Sequence, residues 1–336
     1  MDLSTTYLGL TLRNPLVASA SPLSRSLEGV RRLADAGIGA VVLYSLFEEE
    51  LAEEAERNAR LVEAGTEAFA ESLSYFPPAA GEDRGPLRYL SLLERAVSAV
   101  EIPVIASLNG VTPGGWTSYA RAMQDAGAAA IELNVYFLPG YPYLAGSDVE
   151  RRHVEILQMV KSAVSVPVAI KLSPYFSSTG DVARQLDVAG ADALVLFNRF
   201  LQPDIDPESL GVLPGVGLSG PAEGRLARTW IALLHSHVNA DLAASTGVET
   251  PGDVASYLLA GADVVMTTSS LLRHGPKHAT VLLDGLSAWM EQKSFDSVGE
   301  LRGRLSVPPG SDETANERSG YVDALRAANV SAYGPG

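Results

Sequence analysis

Eight short apolar runs, separated by amphipathic segments, constrain the fold of this chain more than any other feature. Each run is five or six residues long, rich in Val, Ile, Leu and Ala, as is typical of parallel strands covered on both faces. The intervening segments carry apolar residues at spacings of three and four, the period of an amphipathic helix. The predicted strands are Leu16–Ala20, Ala40–Tyr44, Val104–Leu108, Ala129–Asn134, Val168–Leu172, Ala193–Phe197, Asp241–Ser245 and Asp263–Thr267. This alternation predicts an α/β fold, a (β/α)8 TIM barrel.

A hairpin, two insertions and a tail are expected around this barrel. Thr5–Thr11 and the turn that follows predict a small N-terminal hairpin that closes the bottom of the barrel. Residues 48–80 and 201–222 interrupt the strand–helix repeat and are expected to form rim insertions, because long loops in compact domains are usually functional or disordered. We expect one barrel domain over residues 1–305 and a peripheral or partly disordered tail over residues 306–336.

The chain has 336 residues, a net charge of −15 and no cysteine, which together exclude several classes of protein. The acidic balance argues against a broad surface for nucleic acid or an anionic membrane. Without cysteine there are no disulfides, thiolate zinc sites, cysteine-held iron–sulfur clusters or cysteine nucleophile. Met1–Tyr7 lacks the pattern of a signal peptide, and no apolar run reaches transmembrane length. We therefore expect a cytoplasmic protein without a nucleic-acid or membrane partner.

The last two predicted strands each run into a turn suited to a phosphate. One continues into Ser245-Thr246-Gly247 and the other into Thr267–Ser269, and each turn leads into a predicted helix. Glycine and short hydroxyl side chains let an oxyanion approach the backbone N–H groups at the start of a helix. Because the final βα loops of a TIM barrel frequently form a phosphate site, the pattern predicts a phosphorylated small-molecule ligand.

Polar residues at the ends of other predicted strands indicate a ligand site. Lys171 lies within an apolar run, and burial of an ammonium group is costly unless it meets an anion. We interpret it as a contact to a bound anion or an electron-rich ring. Asn134 and Asn198 end two further strands; asparagine also serves loop backbone groups, but with Lys171 the two favour a ligand-facing set. Asn109 fits a ligand contact and an Asn-Gly turn equally well.

Several of these strand ends resemble class 1 dihydroorotate dehydrogenases, in order from about residue 3 to about residue 305. The matching motifs are Asn14–Ser19, Pro103–Gly110, Ile131–Asn134, Pro167–Pro174, Ser219–Ala222 and Leu258–Asp263. A divergent branch, called dihydroorotate dehydrogenase-like, is more similar still. Its motifs are Val41–Glu49, Leu196–Phe200 and Leu242–Gly247.

The resemblance implies a flavin mononucleotide (FMN) barrel and a role for each site residue. Family members oxidise dihydroorotate to orotate in pyrimidine biosynthesis by hydride transfer to the flavin while a base removes a proton. The cofactor contacts that this implies are Ala18, Ser19, Ser45, Lys171, Gly217, Ser219, Gly220, Thr246, Gly247, Thr268 and Ser269. The implied substrate contacts are Asn134, Asn198 and Asn109.

The sequence departs from the family where the catalytic base belongs. Family members carry a cysteine or serine base in the loop after the fourth strand, whereas this chain reads Asn134-Val-Tyr-Phe-Leu-Pro139. Tyr44 stands where the family has a lysine, and Tyr75-Phe76-Pro77 stands where it has an asparagine. The candidate catalytic residues are therefore Tyr136, as a base or proton donor, and Tyr44, as a proton donor. The aromatic replacements also favour a more apolar or planar substrate.

The sequence is compatible with three functions. The first is an FMN-dependent oxidoreductase that acts on dihydroorotate or on another, more apolar substrate. The second is a flavin-binding paralogue without catalytic activity. The third is a phosphate-ester barrel without flavin, in which Lys171 forms a Schiff base.

The partners and the metal content follow from the same sequence. Three electron acceptors stay open: fumarate, NAD reached through a partner subunit, and another carrier. A homodimer is one assembly that the resemblance implies. No metal is predicted, because the chain has no His-Glu-x-x-His motif.

Overall fold

The protein folds as a parallel β-barrel surrounded by helices. The computed structural model describes residues 1–51, 53, 85–112, 116–136, 140–199, 203–213, 217–311 and 318–327. In chain order the strands are β1 (Thr5–Tyr7), β2 (Leu10–Leu12), β3 (Leu16–Ala18), β4 (Ala40–Val42), β5 (Leu46–Phe47), β6 (Val104–Gly110), β7 (Ala130–Val135), β8 (Val168–Leu172), β9 (Ala193–Leu196), β10 (Asp204–Asp206), β11 (Gly211–Leu213), β12 (Asp241–Ala244) and β13 (Val264–Thr267).

Eight of these strands close the barrel. The order is β3, β4, β6, β7, β8, β9, β12 and β13, which returns to β3, and every neighbouring pair is parallel. The short β5 adds a second pairing to β6 at Leu46 and Phe47. All eight predicted strands overlap the observed ones, so the TIM barrel expected from the sequence is confirmed.

Helices cover the outside of the barrel. They are α1 (Leu27–Asp35), α2 (Pro86–Ala99), α3 (Trp116–Asp125), α4 (Gly146–Ala163), α5 (Thr179–Val188), α6 (Gly224–Leu234), α7 (Pro251–Ala260), α8 (Ser269–His274), α9 (His278–Gln292) and α10 (Val298–Leu301). Local sequence sets their ends. For α7, Thr250 and Asp253 form a capping box and Pro251 opens the first turn, while Gly261 at φ 121° ends the helix in a conformation that glycine favours.

The predicted hairpin closes the bottom of the barrel. β1 pairs antiparallel with β2 through a turn at Leu8 and Gly9, which have φ values of 55° and 70°. Tyr7, Leu8 and Leu12 are buried in the apolar cluster that fills the lower barrel. The hairpin therefore excludes water from the end of the barrel opposite the βα loops.

Side-chain alternation divides the core into two parts. Ala130 and Ala169 belong to the cluster inside the barrel, whereas Ile131 and Ile170 belong to the larger cluster between the strands and the helices. Because successive side chains of a strand point to opposite faces, the inward series on β7 continues through Glu132 to Asn134, and on β8 it reaches Lys171. The upper barrel is therefore lined by polar side chains above an apolar lower half.

The predicted insertions and tail are described only in part. Residues 48–51 are helical, whereas most of residues 52–84 lies outside the described residues. The second insertion contains an antiparallel hairpin of β10 and β11. Residues 318–327 of the tail are helical and almost entirely exposed. The division into a barrel domain and a peripheral tail stays a prediction.

Candidate active site

A cavity of about 220 Å³ opens where the last strands of the barrel end. Its walls come from the loops after β3, β8, β9, β12 and β13, at the face where TIM barrels carry their active sites. The lining residues are Ser19, Ala20, Lys171, Asn198, Arg199, Gly217, Leu218, Ser219, Ser245, Thr246, Gly247, Val248, Met266, Thr267, Thr268 and Ser269. Nine of the fourteen site residues proposed for ligand contact from the sequence are in this list: Ser19, Lys171, Asn198, Gly217, Ser219, Thr246, Gly247, Thr268 and Ser269.

Hydroxyl groups join three loops into one cradle at this cavity. The Ser219 Oγ lies 3.0 Å from the Ser269 Oγ and accepts a hydrogen bond from the Gly247 N–H at 3.1 Å. The Ser219 N–H donates to the Ser269 Oγ at 3.1 Å. On the other side, the Thr268 Oγ1 donates to the Ser19 carbonyl at 3.0 Å. The turns after β12 and β13 therefore face each other across a small polar space.

The backbone at Thr246 and Gly247 gives the cradle its shape. Both residues have positive φ, 80° and 72°, a conformation that is a steric outlier for a β-branched residue such as threonine. The Tyr257 hydroxyl holds the Thr246 carbonyl with a hydrogen bond of 2.6 Å. A Cβ on Gly247 would lie 2.7 Å from the Gly224 nitrogen and 2.8 Å from the Gly220 oxygen. Only glycine therefore fits this turn without displacing the neighbouring backbone.

Cationic and not acidic side chains line the cavity, although the chain is acidic. Lys171 and Arg199 line it, and none of its lining residues is Asp or Glu. Arg273 supports the rim by donating to the Ser219 carbonyl at 2.8 Å, while its other nitrogen pairs with Glu249 at 2.5 Å. The two arginines were not identified from the sequence; the only signal for Arg199 was a charged residue directly after Asn198 at a strand end.

A chain of side-chain hydrogen bonds forms the floor beside this cavity. The Asn134 amide donates to the Ser107 Oγ at 3.0 Å, and the Ser107 Oγ lies 2.9 Å from the Ser45 Oγ. The Asn198 amide reaches the Asn134 carbonyl oxygen at 3.4 Å. The structure thus brings Asn134, Asn198 and Ser45 together across β5, β6, β7 and β9. Asn134 is buried, and its amide is oriented by partners below it.

Glu132 is a functional candidate that the sequence reasoning missed. Its Oε1 lies 3.5 Å from the Lys171 Nζ and 3.4 Å from the Asn134 Nδ2. The carboxylate is 1% exposed, and its Oε2 has no hydrogen-bond partner among the described residues. The anion that the sequence predicted for Lys171 is therefore, within the protein itself, the Glu132 carboxylate. A charged residue in the middle of the apolar strand Ile131-Glu-Leu-Asn134 was the available signal.

Tyr44 follows β4 and packs against the core between the barrel and the helices, near two arginines and outside the lining of the cavity. Its ring packs edge-to-face on Tyr89 with centroids 5.1 Å apart, and the Arg25 guanidinium lies 5.3 Å above it. Burial, followed by the charge of Glu50, raises the pKa of Tyr44 above 10.0, although Arg88 and Arg25 oppose the shift. The phenol is therefore protonated at neutral pH, which suits a proton donor and not a base.

The remaining site residues lie outside the cavity. Ala18 is buried in the cluster between barrel and helices, and the Gly220 N–H donates to the Glu223 carboxylate at 2.7 Å. Asn109 lines a separate, much smaller space beside Trp116. Tyr136 is half-buried at the end of β7, and the loop that follows it, residues 137–139, is outside the described residues. Their assignment to cofactor, substrate or catalysis stays a prediction.

Comparison with known proteins identifies the family. The family model described as dihydroorotate dehydrogenase matches residues 2–290, most of the barrel. The chain belongs to the dihydroorotate dehydrogenase family. The resemblance found in the strand-end motifs is thereby confirmed. The chain is accordingly an oxidoreductase, a dehydrogenase that acts on CH–CH groups, in a family that is generally flavin-dependent.

Curated relatives agree with this assignment. The chain is 29% identical over 291 residues to the dihydroorotate dehydrogenase B (NAD(+)) catalytic subunit of Methanocella arvoryzae, covering 85% of this chain and 92% of that protein. It is 28% identical over 320 residues to the NAD-dependent dihydropyrimidine dehydrogenase subunit PreA of Escherichia coli, covering 90% and 76%. A third relative, the dihydroorotate dehydrogenase B (NAD(+)) catalytic subunit of Listeria welshimeri, is 32% identical over 209 residues, covering 60% and 68%.

The residues at the cavity fit the cofactor of a dihydroorotate dehydrogenase-like enzyme. A phosphate fits the cradle of hydroxyls and glycine described above, since each of these groups is small and the cavity carries no acidic side chain. Lys171 and Asn198 add hydrogen-bond donors to the lining of the same cavity. Two further properties are limited to the part of the chain that the structure describes: it contains no helix long and apolar enough to span a membrane and no cluster of side chains suited to a metal ion.

Proposed function

We propose that this protein is an FMN-dependent dehydrogenase whose cofactor phosphate binds between the turns after β12 and β13. One observation carries the proposal: in a chain with a net charge of −15, this cavity is lined by a lysine and an arginine and by no carboxylate. Concentrating positive charge around a hydroxyl and glycine cradle favours a bound phosphate monoester. When bound, FMN supplies the hydride acceptor for CH–CH oxidation.

Lys171 binds and orients the cofactor in this proposal. Its ammonium group is held from below by Glu132, at 3.5 Å, and by its position on β8 it faces the cavity. A Schiff-base lysine needs its nitrogen free to attack a carbonyl, whereas the Lys171 nitrogen is engaged by the buried Glu132 carboxylate. The pairing therefore supports a flavin contact and disfavours the phosphate-ester barrel with a lysine nucleophile.

The substrate is proposed to lie beside Asn134 and Asn198. The hydrogen bond from Asn198 to Asn134 and the bond from Asn134 to Ser107 hold both amides in fixed orientation. Dihydroorotate, whose ring presents amide and carboxylate groups, is the first candidate because the family and several relatives carry its name. Tyr44 would hold a proton at its phenol oxygen, in keeping with its raised pKa, and would act in the direction that reduces a double bond.

The relatives suggest how this chain passes on its electrons. The three relatives named above are subunits of NAD-linked enzymes. We propose that this chain also passes electrons to a partner subunit, and that it does not bind NAD in the cavity itself. Steady-state assays with NAD, fumarate and a dye acceptor, on the chain alone and after addition of cell extract, test this proposal. Reduction of NAD by the isolated chain would contradict it.

An absorption spectrum of the purified full chain, followed by anaerobic addition of dihydroorotate, tests the function. We expect a flavin spectrum, retained or restored by added FMN, and bleaching of that spectrum by the substrate. Lys171→Met is expected to weaken FMN binding about tenfold or more, through loss of a charge-assisted hydrogen bond. Lys293→Met, on an exposed helix end, is the matched control and should leave FMN binding unchanged.

The other outcomes of the flavin experiment would indicate a different substrate or a different function. A flavin that stays oxidised with dihydroorotate keeps FMN binding and directs the search to other unsaturated or saturated ring substrates. A flavin that no candidate donor reduces would indicate a binding protein without catalytic activity. A chain that takes up no FMN would refute the proposed function.

A further inference from the structure

A second pocket lies next to the proposed FMN site and has no role in the function proposed above. Its volume is about 410 Å³, within the range of about 300–1,000 Å³ that small-ligand sites occupy. The ends of β8, β9 and β12 and the first turn of α6 form its walls. It shares Asn198, Arg199 and Thr246 with the first cavity, so these residues form the wall between the two spaces.

Two arginines give this pocket an excess of positive charge. Arg199 and Arg225 line it with a single carboxylate, that of Glu223. The Arg199 Nη1 is buried and lies 3.1 Å from the Glu223 Oε1, but it makes no hydrogen bond to any described residue. Glu223 is also engaged elsewhere, because its Oε2 accepts the Gly220 N–H at 2.7 Å. Within the described part of the chain, the Arg225 guanidinium has neither a hydrogen bond nor an ion pair.

Apart from Asn198 and Thr246, the other residues that line the pocket are mainly apolar. Phe197 is buried at the base, while the Tyr175 ring and the Leu226 side chain are 47% and 49% exposed. Exposed aromatic and aliphatic side chains beside a guanidinium match a ligand with a flat apolar body and a negatively charged end. The hydroxyl and glycine cradle that suits a phosphate belongs to the first cavity, so the chemistry of the second favours a carboxylate.

We propose that this pocket is a second ligand site, for a planar carboxylate that Arg225 and Arg199 hold beside Asn198. The carboxylate would receive charge-assisted hydrogen bonds from the two guanidinium groups. One of the donors would be the buried Arg199 Nη1, which has no hydrogen-bond partner among the described residues. The ring or chain of the ligand would pack on Tyr175 and Leu226. The pocket goes beyond the proposed function, since a ligand here would sit across the shared wall from the cofactor and not in its place.

Isothermal titration of the full chain with benzoate and cinnamate tests the site, with benzamide as the neutral isostere. We expect both carboxylates to bind and benzamide to bind at least tenfold more weakly, because it lacks the charge. Arg225→Met should weaken the carboxylates about ten- to a hundredfold. The matched control is Arg184→Met, at an exposed position on α5, which should change nothing.

A second variant tests the site independently, in case Arg225→Met fails to fold. Leu226→Glu places a carboxylate in the pocket at a half-exposed position, so it should abolish binding of benzoate while the thermal unfolding midpoint stays unchanged. The assignment is overturned if neither carboxylate binds at millimolar concentration, if benzamide binds as well as benzoate, or if Arg225→Met binds like the unaltered chain.

The outcome is separate from that of the proposed function. Titrations are run on both FMN-loaded and flavin-free protein, and FMN uptake is recorded for each variant. A chain that takes up no FMN but binds benzoate through Arg225 would refute the FMN proposal and support the second site. A chain that binds FMN but no carboxylate would support the FMN proposal and refute the second site.

Discussion

At the scale of single residues, the buried charges beneath the cavity are the most unusual feature of this barrel. Lys171 and Glu132 come from neighbouring strands, β8 and β7, and both point into the upper barrel. A buried ion pair is weak evidence for stability, because desolvation of both charges offsets their attraction. Its retention at the floor of the candidate site fits a role in holding the Lys171 ammonium group toward the ligand.

Breaking this pair should be costly, whereas removing both charges should not. We expect Glu132→Gln to lower the free energy of unfolding by about 3 kcal/mol, because the Lys171 ammonium then stays buried without an anion. The double variant with Lys171→Met should lose less than the sum of the single losses. Urea unfolding of the flavin-free chain measures this coupling. Loss of the exposed pair Asp181–Arg184 is the control and should leave the free energy of unfolding nearly unchanged; equal effects would contradict the argument.

Two buried tyrosines should respond in opposite ways to loss of the hydroxyl. The Tyr7 hydroxyl has no hydrogen-bond partner among the described residues, so Tyr7→Phe should raise the free energy of unfolding by about 1 kcal/mol. The Tyr257 hydroxyl donates to the Thr246 carbonyl at 2.6 Å, and Tyr257→Phe should cost about 1–3 kcal/mol. Denaturant unfolding separates the two, and a loss of stability in Tyr7→Phe would indicate a bound water or an unrecognised partner.

At the scale of elements, the turn after β12 decides whether the proposed phosphate cradle forms. Its glycine is enclosed by the backbone of Gly220 and Gly224, at the start of α6. The turn therefore depends on how closely α6 packs on the barrel as well as on its own sequence. The same helix contributes its first turn to the second pocket, so one element borders both candidate sites.

Two glycine variants test the cradle. Gly247→Ala should reduce FMN affinity about tenfold or more and lower thermal stability, because its Cβ would lie 2.7 Å from the Gly224 nitrogen and φ is 72°. Gly320→Ala is the control: no atom lies within 4 Å of its Cβ, and it is exposed on the tail helix, away from the cavity. The measurements are the FMN dissociation constant and the unfolding midpoint. Equal behaviour of the two variants would remove the steric argument.

At the scale of the whole molecule, barrel closure gathers residues that are far apart in the chain. Thr268 and Ser19 form one hydrogen bond across 249 positions, and β13 pairs with β3 to close the ring. The same closure buries titratable groups that solvate fully on unfolding. His153 on α4 is 1% exposed and packs against Phe176, and Tyr7 and Tyr89 are 0% exposed.

These groups limit the pH range of stability from both sides. Burial lowers the pKa of His153 below 6.5, so its contribution is present above pH 6.5 and is lost as pH falls toward the folded-state pKa. Burial raises the pKa of Tyr7 and Tyr89 above 10.0, so their contribution is present below pH 10.0 and is lost as pH rises. We expect maximal thermal stability between these limits. His153→Gln should flatten the acid limb alone; an unchanged acid limb would exclude His153 as its source.

Much of the site was predictable because strand ends in a parallel barrel meet on one face. The apolar runs placed all eight barrel strands, and the turns at Thr246-Gly247 and Thr268-Ser269 were identified from glycine and hydroxyl residues alone. Local pattern could not show that Glu132 reaches Lys171, since a charge within an apolar run says nothing about its partner. It also could not place Ala18, which faces the outer core, or Asn109, which lines a separate small space.

The sequence by itself determined the class of fold and the family, because periodicity and strand-end motifs are local properties of the chain. The tertiary structure decided which charged groups meet. It gave the cavity a lysine and an arginine without a carboxylate, set Glu132 beneath Lys171, and opened a second pocket between Arg199 and Arg225. Electrostatic and hydrogen-bond energies depend on distances of a few ångströms between residues that are distant in sequence, and only the closed barrel sets those distances.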